Sequence, residues 1–319
     1  MINFYNINNI SNLKIKYPDI YFTPEYGKAC EFSDNAEWEL CKYKDLIYVY
    51  LKKPIEFEGK EYYDLITPYG YSGYYYEKIE TYNEFIPLFR KKAKERNYIT
   101  EVLRQNPYLN ININNYDIIT SKTIYGIEIN NFNNYFKNIL NGKKRNMFKK
   151  ALKNNFSFEL IKIQKNILKN YFIFLYNQNM KRVNASQYYF FNNNYFNSLE
   201  EINNSYLAIV KDNLNNIIGS SIIYKFNNLI HYHLSCNDNS SNCITDFLLI
   251  NVLKEIGIDK LFILGGGLKD KDSLSKFKKK LSNKEFKYTI YKKILNEEIY
   301  EKLSNNNNNN NDFFPSYRN

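Results

Sequence analysis

The alternation of hydrophobic and polar residues is most informative in the last third of the chain. Alternating residues over 230–236 (IHYHLSC) predict a strand, and the apolar segment 244–256 (ITDFLLINVLKEI) predicts a buried helix. A short apolar run at 261–264 predicts a second strand, which ends at the three glycines 265–267. A strand, a helix and a strand with short connections favour parallel neighbours and a right-handed crossover.

Two polar connections follow these two predicted strands, at 237–242 and 265–272. In open sheets of this kind, ligands bind beyond the carboxyl ends of the strands. We therefore expect a ligand site at this end of the sheet. The residues of the second connection expected to contact substrate are Gly265, Gly266 and Gly267.

A second helix is predicted from residue 272 or 273, and Lys278 is its most informative residue. Leu274, Phe277 and Leu281 recur at i, i+3 and i+7, and Lys278 at i+4 falls on the same apolar stripe. The lysines on its other faces, which are expected to be solvated, are Lys276, Lys279 and Lys280. Two interpretations of Lys278 stay open. Its stem packs while its ammonium reaches water, or a pocket holds the ammonium for an anion or a developing negative charge.

The same patterns predict the remaining elements. The further strands are expected at 45–52, 61–66, 124–129, 156–163, 205–212, 217–226 and 286–294. Another is expected within 99–109, where it ends before Pro107. Further helices are expected at 82–97 and 166–183, and the segment 134–155 is expected to have two helical halves. In the second of these halves one face is basic, and its residues are Lys143, Lys144, Arg145, Lys149, Lys150 and Lys153. Such a face is either solvated or serves an anionic substrate or a membrane surface.

The element order predicts an α/β protein with mixed sheets and two domains. We expect an N-terminal domain at 1–125 and a C-terminal domain at 126–303. The asparagine-rich residues 304–319 cannot bury apolar surface, so a disordered tail is expected there. In the N-terminal domain the loop 67–73 is rich in turn residues and aromatics. It is either an ordinary loop or a binding surface that includes Tyr69 and Tyr71.

The composition indicates an anionic binding partner and a cellular compartment. The 319 residues are 44% hydrophobic and 18% aromatic, which is enough for a large core, and the net charge is +11. This surplus suits nucleic acid, a phosphorylated carrier or a lipid headgroup. No segment approaches the ~20 apolar residues of a membrane span, and the first residues do not form a secretory signal. We therefore expect a cytoplasmic protein with reduced cysteines.

A metal site was considered at His231, His233, Cys236 and Cys243, because all four residue types can bind zinc. Their spacing matches no common zinc pattern. Alternation along a half-buried strand explains the two histidines equally well. No metal is therefore predicted.

Several motifs resemble one family of acyltransferases. The segments LYNQNMKRVNASQYYFFNNNYFNSL (175–199) and LGGGLKDKDSLSKFK (264–278) are similar to the FemAB-type branch of the GNAT superfamily. In the first half, YYDLITPYGYSG is similar to uncharacterised members of the same group. The resemblance covers roughly residues 19–294. The FemAB-type branch includes the peptidoglycan aminoacyltransferases. The resemblance implies two tandem GNAT-like domains with a cleft between them, and acyl transfer to an amine.

The resemblance also implies donors and acceptors. In the Fem branch the donor is aminoacyl-tRNA and the acceptor is a peptidoglycan precursor, whereas the donor of the wider superfamily is acyl-CoA. GNAT enzymes place a glycine-containing turn before the central helix to hold pyrophosphate. Residues 237–245 contain no glycine. The residues that remain to bind an anion there are Ser240, Ser241 and Thr245. The donor therefore stays open between acyl-CoA and aminoacyl-tRNA.

The Phe-Lys pair that is implicated in the Fem active site matches Phe277 and Lys278. Lys278 is expected to stabilise the developing oxyanion or a phosphate. Arg145 and Arg182 are candidates for contacts with an anionic acceptor. The candidates to deprotonate the amine are His231, Tyr232 and His233.

The predicted function is transfer of an acyl or aminoacyl group to an amine of a cell-envelope precursor, such as an amino sugar or a peptidoglycan or polysaccharide intermediate. The expected partners are this anionic precursor, tRNA and the inner face of the membrane, contacted peripherally. Two alternatives stay open. The chain is a degenerate tandem module that binds a precursor without catalysis, or an RNA-binding protein whose affinity depends steeply on salt.

Overall fold

The computed structural model describes residues 1–109, 111–305 and 313–318. The chain forms two compact units. The first comprises Met1–Ser121 and Tyr288–Asn319, and the second comprises Lys122–Lys287. Each unit is a sheet with helices packed on it, so the α/β fold class expected from the sequence is confirmed.

The strands, in chain order, are β1 (Asn3–Asn6), β2 (Glu37–Tyr43), β3 (Leu46–Phe57), β4 (Lys60–Ile66), β5 (Gly73–Tyr75), β6 (Tyr98–Arg104), β7 (Asp117–Ile129), β8 (Ser157–Lys162), β9 (Ser205–Lys211), β10 (Ile217–Phe226), β11 (Leu229–Asn237), β12 (Lys260–Gly265) and β13 (Lys284–Ile294). The helices are α1 (Pro24–Asp34), α2 (Ile79–Glu95), α3 (Phe132–Asn134), α4 (Gly142–Lys153), α5 (Ile167–Tyr171), α6 (Ile173–Arg182), α7 (Asn193–Leu199), α8 (Ile244–Ile256), α9 (Ser273–Lys279) and α10 (Glu297–Asn305). A π-helical turn, Tyr135–Ile139, continues α3.

In the first unit the strand order is β1-β2-β3-β4-β6-β13, and β5 also pairs with β3. Only the β4–β6 pair of this described sheet is parallel. The core is largely tyrosine and phenylalanine. Buried Glu101 accepts hydrogen bonds from the hydroxyls of Tyr48, Tyr74 and Tyr116 at 2.5, 3.0 and 2.7 Å. Burying a carboxylate is costly unless hydrogen bonds satisfy it, and these three hydroxyls do so.

The C-terminal residues that the structure describes belong to the first unit. Tyr317 donates a hydrogen bond to Asp64 at 2.6 Å, and the Nε of Arg318 donates another at 2.8 Å. Of the disordered tail expected at 304–319, residues 306–312 and 319 lie outside the described part of the chain. The residues 313–318 contain a 3₁₀ turn, Ser316–Arg318, that buries Tyr317. The predicted domain limits of 1–125 and 126–303 stay a prediction.

In the second unit the strand order is β7-β12-β11-β10-β9-β8, and only the β11–β12 pair of the described strands is parallel. The prediction that two parallel neighbouring strands are connected by a helix is thus confirmed for β11, α8 and β12. Pairing between the two strands runs from Leu229–Leu261 to His231–Ile263. Because β11 continues to Asn237 and β12 to Gly265, the carboxyl halves of both strands extend beyond their last shared pair.

The helix α8 is buried along most of its length and packs on β9 and β10, with α4 beside it. Its apolar residues form one core with those of β10, β11 and β12. This packing fixes the first turn of α8 next to α4, which is where the candidate site begins. Within the described residues, none of the helices combines the length and the apolar character that crossing a bilayer requires.

Candidate functional site

Lys278 is buried in the second unit, which favours the second of the two interpretations that its position on the apolar stripe left open. Its helix α9 is capped at the N-terminus by Asp272, whose carboxylate accepts a hydrogen bond from the amide of Ser275 at 2.7 Å. Lys278 is only 8% exposed. The lysines on the other faces are exposed as expected, and they are Lys276, Lys279 and Lys280. Leu274 departs from the pattern because it is 43% exposed, and the buried residues of this short helix are Ser275 and Lys278.

The Lys278 ammonium donates a hydrogen bond to the carbonyl oxygen of Gly266 at 2.8 Å. It lies 5.7 Å from the centre of the Tyr232 ring on β11. The pKa of Lys278 is lowered to about 7, chiefly by burial and also by the nearby Lys122 ammonium, while the attraction of Asp272 opposes the shift. Around neutral pH, this amine therefore exists in both charged and neutral forms. A proton donor or a cation poised in this way is typical of reaction centres.

The backbone conformation and the close neighbours of residues 265–267 leave no room for larger side chains. Gly265 has a φ of +75°, in the left-handed region that favours glycine. A Cβ on Gly266 would lie 2.8 Å from the carbonyl oxygen of Thr123, and one on Gly267 would lie 2.0 Å from Asp272. The turn they make presents the Gly266 carbonyl to Lys278. Whether these glycines contact a substrate stays a prediction.

The structure reveals a second buried lysine beside Phe277, which sequence reasoning missed. The ammonium of Lys144 on α4 lies 2.7 Å from the carboxylate of Asp246 on α8 and 3.6 Å from the centre of the Phe277 ring. The side chains of Lys144 and Asp246 are 8% and 2% exposed. Burial lowers the pKa of Lys144 and raises that of Asp246, and their mutual attraction opposes both shifts.

The expectation that Lys144 belongs to a solvated basic face is therefore wrong. The physical reason is that Lys144 on α4 forms an ion pair with Asp246 on α8, and this pairing allows the ammonium to be buried away from water. The available signal was Asp246, the one acidic residue in the otherwise apolar first turns of α8. Phe277 itself is partly buried and packs on the core of the second unit.

The two histidines lie on the opposite face of β11 from Tyr232, since side chains alternate along a strand. The Nε2 atom of His233 lies 3.1 Å from the hydroxyl of Tyr195 on α7, and its ring lies 4.8 Å from that of Tyr224. Burial lowers the pKa of His233 to about 3, and the neighbouring His231 contributes. Such an imidazole stays neutral and is a weak base. The structure brings Tyr232 to Lys278, but it does not bring the histidines there.

Burial raises the pKa of Tyr232 to about 12. Its hydroxyl therefore keeps its proton at neutral pH and acts as a hydrogen-bond donor rather than as a base. Of the three residues predicted to deprotonate an amine, none combines proximity to Lys278 with a pKa suited to that task near neutral pH.

The predicted anion-binding arginines have different surroundings. The guanidinium of Arg145 donates to the carbonyl oxygens of Phe136, at 3.3 Å, and Leu140. Arg145 thus closes the π-helical turn that precedes α4. Arg182, at the end of α6, donates to the backbone carbonyl of Asn237 at 3.2 Å. It therefore lies at the loop before α8, where the sequence predicted a site for the donor.

The polar residues of that loop mainly bind one another. The hydroxyl of Thr245 accepts a hydrogen bond from the side-chain amide of Asn237 at 3.3 Å. Ser240 donates to Asp238 at 2.7 Å, and Ser241 lies 3.1 Å from the sulfur of Cys243. The carboxylate of Asp238 adds negative charge to a loop that was expected to receive an anion. Binding of a donor by Ser240, Ser241 and Thr245 stays a prediction.

Tyr69 and Tyr71 belong to the first unit. The backbone carbonyl of Tyr69 accepts a hydrogen bond from the hydroxyl of Tyr26 at 2.7 Å. The half-buried ring of Tyr71 meets those of Tyr21, Tyr108 and Tyr288 edge to face. The loop is thus held by an aromatic cluster of its own unit, and its contact with substrate stays a prediction.

A metal centre has no counterpart in the part of the chain that the structure describes, where no group of three or more His, Cys, Asp or Glu side chains converges. The cysteines Cys236 and Cys243 are buried, and Cys236 donates to the backbone carbonyl of Ser220 at 3.6 Å.

Comparison with known proteins identifies the fold. No family model matches the sequence, and no curated protein matches it. Solved structures do match. FemX has a TM-score of 0.61 at 14% identity, with 89% of this chain and 94% of that chain covered. A conserved protein of unknown function from Bacteroides thetaiotaomicron has a TM-score of 0.61 at 12% identity, with 92% and 100% covered.

A third similar structure is the C-terminal DUF2156 domain of a putative lysylphosphatidylglycerol synthetase from Agrobacterium fabrum. Its TM-score is 0.54 at 10% identity, and the alignment covers 86% of this chain and 88% of that chain. At these identities the similarity shows the fold alone. The resemblance to FemAB-like, GNAT-type acyltransferases that the sequence motifs indicated is confirmed at that level.

Proposed function

We propose that a chain with this FemX-like fold transfers an acyl or aminoacyl group to an amine of a cell-envelope precursor, with Lys278 stabilising the charge that develops. The observation that carries the proposal is the position of Lys278. Its ammonium is buried at the carboxyl end of β12, hydrogen-bonded to Gly266, and pairs with none of the described carboxylates. A cation kept out of water at this end of a sheet is suited to a reacting anion.

In the proposed reaction the acceptor amine attacks the carbonyl carbon of a thioester or an aminoacyl ester. A carbon–nitrogen bond forms, the carbonyl oxygen gains negative charge, and the carbon–sulfur or carbon–oxygen bond then breaks. The protonated Lys278 donates a hydrogen bond to that oxygen, and the amine releases its proton to water. The leaving group departs as the free thiol of CoA or the ribose hydroxyl of tRNA after taking up a proton from water. Because the protein mainly aligns the reactants and stabilises charge, few dedicated residues are needed.

The donor and acceptor are proposed as classes. Acyl-CoA and aminoacyl-tRNA are the two donor classes, and both are cytoplasmic compounds, so the reaction is placed in the cytoplasm. An envelope acceptor is supported by the sequence motifs and by the similarity to a domain whose name refers to lysylphosphatidylglycerol. Contacts with tRNA and with the inner membrane face are further parts of this proposal, and they suit the charge of +11.

The proposal is tested by incubating the full chain with each donor class and with extracted envelope precursors, followed by mass analysis of the acceptors. We expect an acceptor whose mass has increased by one acyl or aminoacyl group, and only when a donor is present. A protein that binds a precursor without changing its mass, across both donor classes, would instead be a binding module. Steeply salt-dependent retention of RNA without any product would favour the nucleic-acid-binding alternative.

A further inference from the structure

Two lysine ammonium groups converge on the glycine turn after β12. Lys278 donates to the carbonyl oxygen of Gly266 at 2.8 Å, and Lys122 on β7 donates to that of Gly267 at 3.0 Å. These carbonyls belong to successive residues, so the two cations are close in space. Their proximity is felt electrostatically, since Lys122 lowers the pKa of Lys278.

The nearby carboxylates are engaged elsewhere. Asp272 accepts hydrogen bonds from the amides of Lys269 and Ser275 at 3.0 and 2.7 Å. Asp270 accepts one from the amide of Thr123 at 3.2 Å. Lys278 forms no salt bridge with any carboxylate in the described residues. The turn thus brings two like charges together. Among the described residues, the more buried of them has no carboxylate in salt-bridge contact, and Asp272 only partly offsets the effect of burial and of Lys122 on its pKa.

Like charges held together in a poorly solvated place are unfavourable, and an anionic ligand removes that cost. We propose that Lys122 and Lys278 form a binding site for a phosphoryl group carried by the donor or by the acceptor. Lysine binds phosphate as a point charge, and two neighbouring ammonium groups match the roughly two negative charges of a phosphoryl group better than the single charge of a carboxylate. Among the described contacts of this turn, lysines supply the positive charge and no arginine takes part.

This site is compatible with the proposed reaction. An ammonium has three N–H donors, and Gly266 accepts one from Lys278. One remaining donor is available for a phosphoryl oxygen and the other for the carbonyl oxygen of the reacting group. The inference goes beyond acyl transfer, because binding a phosphoryl group at this turn needs no turnover.

The test is thermal unfolding of the full chain in millimolar pyrophosphate, with acetate at matched ionic strength as the carboxylate arm. The variants are Lys122→Met and Lys278→Met, and the matched control is Lys276→Met, which removes an exposed lysine of the same helix. Pyrophosphate binds the folded state in this proposal and therefore raises Tm. We expect apparent affinities at least tenfold weaker in both site variants and unchanged in the control.

Equal stabilisation by pyrophosphate in all four proteins would overturn the proposal, since that pattern describes general binding to a basic surface. If acetate stabilised the protein as much as pyrophosphate does, the site would bind carboxylates rather than a phosphoryl group, and the proposal would be wrong. If Lys122→Met fails to fold, NMR of ¹³Cε-labelled lysines in the unaltered chain decides. The Lys278 resonance then shifts to a higher pKa when pyrophosphate is added, and an unchanged pKa excludes the site. None of these outcomes requires acyl transfer, so this inference and the proposed function fail separately.

Discussion

Lys144 and Lys278 are two buried lysines of the second unit with contrasting environments. Lys144 lies 2.7 Å from Asp246 and above the Phe277 ring, so its charge is compensated by a carboxylate and an aromatic face. Lys278 has a similar exposure of 8%, yet its described partners are a backbone carbonyl and the ring of Tyr232. A compensated charge ties elements together, whereas an uncompensated one remains available to a ligand. We therefore infer a structural role for Lys144 and a chemical role for Lys278.

The largest expected effect tests the compensated lysine. Asp246→Leu leaves Lys144 buried without its carboxylate, which costs about 3–5 kcal/mol of unfolding free energy for pairs of this kind. The double variant Lys144→Met with Asp246→Leu replaces the pair by apolar groups and is expected to recover most of that loss. Denaturant unfolding of the three proteins measures both values. Equal stability of the single and double variants would show that the pair does not compensate Lys144.

The second effect is the pH dependence that Lys278 imposes on stability. Its pKa of about 7 in the folded chain lies below the ordinary lysine value, so between the two the unfolded chain binds more protons. Wild-type stability therefore falls as pH decreases from about 10 to 7, by up to about 1.4 kcal/mol per pH unit from this residue. Below the folded pKa, this contribution no longer changes.

Lys278→Met removes that titration. We expect the variant to be most stabilised, relative to wild type, near pH 7, and the difference to vanish towards pH 10. Urea unfolding of both proteins at several pH values gives the comparison. A difference that is constant across this range would mean that Lys278 keeps an ordinary pKa in the folded chain.

The third effect concerns turnover. If Lys278 stabilises the oxyanion, Lys278→Met lowers kcat at least tenfold, which corresponds to about 1.4 kcal/mol of transition-state stabilisation. The matched control is Lys280→Met, at an exposed position just beyond the same helix, and its kcat is expected to stay at the wild-type value. Since the protonated form is the active one, kcat also falls as pH rises through about 7. A rate that rises through this range would make Lys278 a base instead.

The smallest effect separates the two faces of β11. His233 lies on the face opposite Lys278 and contacts Tyr195. His233→Asn is expected to change kcat by less than about twofold, while loss of this hydrogen bond costs about 1 kcal/mol of stability. Parallel kinetic and unfolding measurements distinguish these effects. A tenfold drop in kcat with unchanged stability would indicate that His233 takes part in the reaction.

Much of the second unit could be predicted from the sequence, because its hydrophobic pattern is strong. The helix α8 and the strand β10 have the predicted bounds, and β11 and β12 differ by one residue at each end. The strand β2 and the helix α7 were missed. In α7 the sequence NNYFNSL is rich in asparagine, a weak helix former, and the helix depends on the side chain of Asn192, which accepts a hydrogen bond from the amide of Tyr195.

The site was predictable to a smaller extent. The spacing of Phe277 and Leu281 places Lys278 on the apolar face of its helix, but it does not decide whether the ammonium is buried or reaches water. The burial of Lys144 depends on Asp246, which lies about a hundred residues further along the chain, so no local pattern contains it. Local periodicity likewise places His231 and His233 on one face of a strand. Local periodicity cannot show which face of that strand lies next to Lys278.

The most direct test of the central claim is the pKa of Lys278, read by NMR from ¹³Cε-labelled lysines and assigned with Lys278→Arg. The account predicts that this one resonance titrates near pH 7. A Lys278 resonance that titrates at the ordinary lysine value of about 10.4 would contradict it. That result would place the ammonium in water, or against a counter-ion, and would remove the reason to give it a chemical role.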